Sequence, residues 1–208
     1  KDIFLLFINK FLSYLYNHFK TYIIMEIKIT TNQVLKILLI ISWIIFLGLC
    51  VEAGGFIVNT VLMLMLEPEA AKNLWQQLDL FALYTFDRGY FFVEMLLIII
   101  AAVLKACMFY MIIRILQNKK LNMSQPFTKE MGSFIFLLSY LAFGIGLFSG
   151  WGVKYAAWFV KQGVIMPDAE SLHLGGSDVW LFMAITLFVL AQIFKKGIEI
   201  QTENELTV

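Results

Sequence analysis

Few side chains in this chain have the type and spacing to do chemistry. Its two histidines, His18 and His173, cannot build an H-E-x-x-H zinc pair. There is no G-x-S-x-G elbow, no Walker loop and no G-x-G-x-x-G fingerprint. The two cysteines, Cys50 and Cys107, both lie inside long apolar runs, which predicts small thiols packed between helices rather than a disulfide. Asp168, Glu170 and His173 fall close together, but without the tight spacing of a zinc set, and read as a solvated acidic loop. No catalytic, cofactor-binding or metal site is therefore expected. What remains is a small set of ionisable residues within apolar runs: Lys105, Glu52 and Glu94. Charge is costly to bury in lipid, so these form the candidate polar site. For Lys105 two roles are open. It either anchors the bundle, bonded to backbone carbonyls or to hydroxyls such as those of Ser139 and Tyr140, or it serves transport or ligand binding.

The elements that must position these residues follow from composition. Of 208 residues 61% are apolar and 15% charged, against about half and a quarter in a soluble domain. The mean hydropathy is +0.81. Twenty Phe, five Trp and eight Tyr exceed what one aqueous core hides, which predicts an integral membrane protein. With 16 Lys+Arg against 15 Asp+Glu there is no basic excess, and no direct nucleic-acid partner is expected. A crossing helix needs about 20 apolar residues. Four such stretches predict an all-α, four-helix membrane bundle, with spans at about 35–53, 93–116, 133–151 and 178–194. The apolar run that resumes after Gly54-Gly55, residues 56–66, is expected to leave the bilayer or fold back on it. On these boundaries Lys105 lies in the inner half of its span. Glu52 and Glu94 lie level with each other near the outer ends, roughly 13 Å from Lys105 in depth. A direct Lys105–Glu52 salt bridge is then not expected.

Orientation follows from Lys and Arg. Lys1, Lys10, Lys20, Lys28, Lys36, Arg114, Lys119, Lys120, Lys129, Lys195 and Lys196 fall on one side, and only Lys72, Arg88, Lys154 and Lys161 on the other. Both termini are expected in the cytoplasm, with loops 67–92 and 152–177 outside. In the first loop a helix start at Glu67-Pro68-Glu69 leads to Leu74, Trp75, Leu78 and Phe81 at helical spacing. The second carries Trp151, Tyr155, Trp158 and Phe159, and the two are expected to form a small outer cap. Residues 1–24 pattern as an amphipathic interfacial helix, with Met25 a candidate native start; residues 25–208 form a single four-span domain. In span three Ala142, Gly146 and Gly150 form a row of small residues suited to packing within the bundle; a homo-oligomer is not indicated.

Two passages carry a resemblance. One is the inner turn from Lys119-Lys120 to Pro126-Phe127. The other is the tail, in which a basic pair and Gly precede Glu199-Ile-Gln201-Thr-Glu203-Asn-Glu205-Leu-Thr-Val208. Together with the four-span layout, over residues 25–208, they resemble the bacterial membrane-protein family catalogued as domain of unknown function 2975. The resemblance implies an inner-membrane protein without assigned activity, whose gene neighbours a small helix-turn-helix regulator. Lys119, Lys120, Pro126, Phe127, Glu199, Glu203 and Glu205 are then the candidate cytoplasmic contact. Continued as a helix from span four, the tail would place Glu199 and Glu203 on one face with Gln192 and Lys196. The functional expectation is a non-enzymatic sensor or membrane partner of a cytoplasmic regulator. The alternative is a small transporter or ligand-binding channel component using Lys105 with Glu52 and Glu94.

Overall fold

The computed structural model describes residues 31–65, 79–117 and 128–206. Lys1–Ile37 and Leu38–Val208 are two compact units, and the first enters the description only through the opening turns of one helix. The described elements are α1 (Thr31–Met65), α2 (Phe81–Phe86), α3 (Arg88–Gln117), α4 (Lys129–Lys161) and α5 (Ser177–Leu206). All but α2 are long and apolar enough to cross a bilayer. The protein is an all-α, multi-pass membrane protein built as a four-helix bundle. The end holding α2 and residues 162–176 is the cap end; the opposite end is the terminal end.

Each long helix overruns the span expected for it. At ~1.5 Å per residue, lengths of 30 to 35 residues reach roughly 45–52 Å, beyond a hydrocarbon core of about 30 Å. The apolar run sets the membrane-embedded part, and local capping sets the ends. Asp87 Oδ1 accepts from the amides of Gly89 (2.7 Å) and Tyr90 (3.0 Å), opening α3 before Val93. Thr128 Oγ1 accepts from Met131 N and opens α4. Residues 152–161, expected in a loop, are the last turns of α4. Gly54 and Gly55 do not end α1, because glycine is tolerated in a helix whose backbone has no water to turn to. Residues 56–65 therefore continue α1 rather than folding back, and Phe56 and Met63 are buried in the core.

Packing is tightest between α4 and α5. A Cβ on Gly146 would lie 2.8 Å from Leu181 Cγ, Gly150 faces Ser177, and Ala142 is fully buried. The row of small residues thus seats α5 inside the bundle. Ser139 Oγ donates to Ala184 O at 2.9 Å in the same seam. α3 runs along the other side of α4, where Gly144 faces Leu104. α1 buries Ala53, Phe56, Asn59, Thr60 and Met63 toward the cap end, with Phe46 and Tyr110 6.0 Å apart lower down. Its Ile40, Ile44, Leu47 and Val51 are exposed, as suits a surface facing lipid tails. Cys50 and Cys107 also lie exposed rather than between helices.

Of the expected cap, the helix start at Glu67-Pro68-Glu69 with Leu74, Trp75 and Leu78 lies outside the described residues, whereas its second half goes deeper than a cap. Ser177 opens α5 against Gly150, eleven residues before α4 ends at Lys161. Residues 162–176 must therefore descend roughly 16 Å back along α4 before α5 begins. Val164, Leu172 and Leu174 share one core with Leu80, Leu83 and Tyr84 and with Phe56, Met95 and Ile98 of the long helices. Leu174 fills the space a Cβ on Gly152 would need. The segment is re-entrant, not a surface hairpin.

Candidate functional site

Irregular backbone inside a membrane bundle must find donors and acceptors within the protein. Part of the re-entrant segment supplies its own. Leu172 N donates to Asp168 O, His173 N to Glu170 O and Leu174 N to Ala169 O, all near 3.0 Å. Asp168 Oδ1 accepts from Ser171 N at 2.8 Å. The Ser171 hydroxyl and then its amide hold the exposed Asp168 carboxyl below its ordinary 3.8. The carbonyl of His173 is satisfied from elsewhere: Lys105 Nζ donates to it at 2.8 Å. The side chain of the same histidine reaches the first helix, with Nδ1 3.1 Å from Glu52 Oε1.

One residue thus joins α1 and α3. His173 achieves this with φ 57°, the left-handed region that a non-glycine residue enters at a cost. Leu172 and Leu174, fully buried on either side, and Phe56, whose ring stands edge-on at 5.5 Å, hold it there. Lys105 and Glu52 are half-buried, and Glu52 is the opposite charge acting on the ammonium. Glu52 Oε1 is sealed from solvent without a hydrogen bond, and its 3.1 Å approach to the imidazole is a pairing of charge. The approach is a full ion pair when the imidazole carries its second proton. The arrangement can clamp the segment, pass a proton between imidazole and carboxylate, or respond to a ligand that displaces the segment.

Sequence reasoning singled out Lys105 and Glu52 and expected no direct salt bridge between them; they reach different atoms of His173 instead, the ammonium its carbonyl and the carboxylate its imidazole. Lys105 does lie on the stripe of Ala101, Ala102 and Met108, all buried. Its oxygen is a backbone carbonyl, one of the two expected kinds of partner, and comes from His173; of the hydroxyls offered, Ser139 is bonded to Ala184 and Tyr140 is exposed. Glu94 does not join the cluster. It lies eleven residues, roughly 16 Å, from Lys105 along α3. His173, read at first as part of a solvated loop, is the residue missed. The signal was Leu172-His173-Leu174 before Gly175-Gly176, two apolar residues around a histidine just after the polar Asp168-Ala169-Glu170-Ser171. Asp168 and Glu170 do not converge with it, Asp168 capping Ser171 and Glu170 lying exposed.

At the terminal end, Lys119, Lys120, Pro126 and Phe127 lie outside the described residues, as does the side chain of Glu205. α5 does continue through the tail to Leu206. Glu199 pairs with Lys196 one turn back at 3.1 Å, and Glu203 lies exposed farther along. Near this end a groove of about 310 Å³ between α3 and α4 is lined by Arg114, Glu130, Ser133 and apolar side chains. Compared with protein-family models, curated proteins and solved structures, the chain matches none.

Proposed function

We propose that the protein is a non-enzymatic bacterial inner-membrane sensor, with both termini cytoplasmic and a small helix-turn-helix regulator as its partner. The observation that carries this reading is the single histidine clamp. His173 ties a re-entrant segment from the expected outer side to α1 and α3 at once, so displacing the segment changes what both helices hold. α1 and α3 run on toward the side where the inner turn and the tail present the contact surface implied by the family resemblance. The protein would pass a state rather than a solute.

A second reading, a small transporter or ligand-binding channel component, is favoured by the same ionisable groups lying inside the bundle. Deleting residues 199–208 separates the two in native cells. For a sensor, the transcript profile of the truncated strain should match that of a full deletion while the protein remains in the membrane at its normal level. A silent truncation, with Lys105→Leu alone reproducing the full deletion, would instead favour transport.

A further inference from the structure

Glu94 is the one carboxylate among the described residues that is fully buried, and neither of its oxygens has a hydrogen-bond partner. It faces inward on the stripe of α3 that continues through Ile98 and Ala101 to Lys105. Around it stand Phe91, Met95 and the aromatic group of Tyr84, Tyr90, Tyr155 and Phe159. Of the titratable groups here, the Tyr155 phenol interacts with Glu94 and also with Tyr90 and Asp87, and the Tyr84 phenol belongs to the same core. Arg88, the nearest cation in sequence, is turned onto the ring of Tyr84. α1 presents Asn59, Thr60 and Met63 to this core, none of them charged.

An isolated carboxylate in such a setting is too costly to keep bare, so something positive must reside on it. A metal ion needs four to eight donor atoms. Among the described residues no three His, Cys, Asp or Glu side chains are grouped to hold one. A proton needs only one oxygen. We propose that Glu94 is a proton-binding site within the cap end of the bundle.

Two further oxygens toward the cap end share Glu94's lack of a partner: Asn59 Oδ1 on α1 and Ser149 Oγ on α4 are both buried. Ser149 stands roughly 8 Å beyond Gly144, which faces Leu104, and so lies between the Lys105 and Glu94 levels. Unfilled acceptors of this kind suit internal water, which can donate to each. The site stands on these oxygens alone and needs neither a partner protein nor a transported solute.

Infrared difference spectroscopy on the full-length protein in lipid vesicles tests this directly. The wild type minus Glu94→Gln spectrum at neutral pH should show the carbonyl band of a protonated carboxyl. That band should shift in deuterium oxide, vanish reversibly at high pH and ignore replacement of choline chloride by sodium chloride. Glu94→Asp should move the band rather than remove it, which keeps the assignment secure if Glu94→Gln fails to fold. An ionised carboxylate at neutral pH would overturn the proposal. So would a band abolished by sodium, which would make the occupant a metal ion.

Discussion

At the residue scale, a helix-borne charge in this bundle serves a piece of backbone that has no helix of its own. Lys105 fills the carbonyl of His173, and His173 in turn meets Glu52, so the effects of changing Lys105 and Glu52 should be coupled. Lys105→Met and Glu52→Gln should each cost about 1–3 kcal/mol, because each leaves a buried group short of its partner. The double variant should cost less than the sum by about 1 kcal/mol, as measured by reversible unfolding in mixed detergent. Strict additivity would mean that the two do not share the histidine. Backbone geometry gives a second test. Alanine at position 173 must keep φ near 57° without the imidazole, whereas glycine adopts it freely. His173→Ala should therefore be less stable than His173→Gly by about 1 kcal/mol, the reverse of what a helical or extended site would give. That Lys105 needs compensation was legible from its place in an apolar run. A backbone carbonyl was among the expected partners, but which one was not legible, because no residue type marks a main-chain oxygen.

At the scale of elements, hydropathy located all four crossing helices but not their ends. The extensions of α3 and α4 depend on caps and on flanking residues that helix formation tolerates in or out of lipid, so an apolar count does not see them. The re-entrant segment was hidden for a related reason: its two buried leucines are too few to register as an apolar run. Its depth was written instead in the glycines opposite. A Cβ at position 152 would collide with Leu174 Cδ1, and one at position 146 would lie 3.0 Å from the backbone nitrogen of Leu181. Leu174 is fully buried, so its side chain has no room to swing away. Gly152→Ala and Gly146→Ala should each destabilise the bundle by about 1–3 kcal/mol. Gly150→Ala, whose nearest neighbour is Ser177 Cβ at 3.6 Å, should change stability by less than ~0.5 kcal/mol. The three variants can be ranked by thermal unfolding in detergent. Equal tolerance at 152 and 150 would mean that Leu174 does not dock on α4.

For the whole molecule, the fold class was legible because a chain with this much apolar surface and this few charges has no soluble solution. The direction in which it crosses the membrane rests on a different term, the eleven-to-four division of Lys and Arg between the two sides. That bias acts during insertion, and a folded bundle of this shape would pack equally well in either direction. Impermeant thiol labelling of intact cells reads the direction. Cys50 and Cys107 lie exposed at the bundle surface, so Cys50→Ser with Cys107→Ser should fold and give a clean background. In that background Lys161→Cys, at the cap end of α4, should be labelled from outside. Thr202→Cys, near the end of α5, should be labelled only after the cells are opened. Both positions are exposed, so a failure to label reports the membrane barrier and not burial in the protein. The reverse pattern would put the re-entrant segment on the cytoplasmic side. The His173 clamp would then face the cell interior, and any signal it carries would originate there.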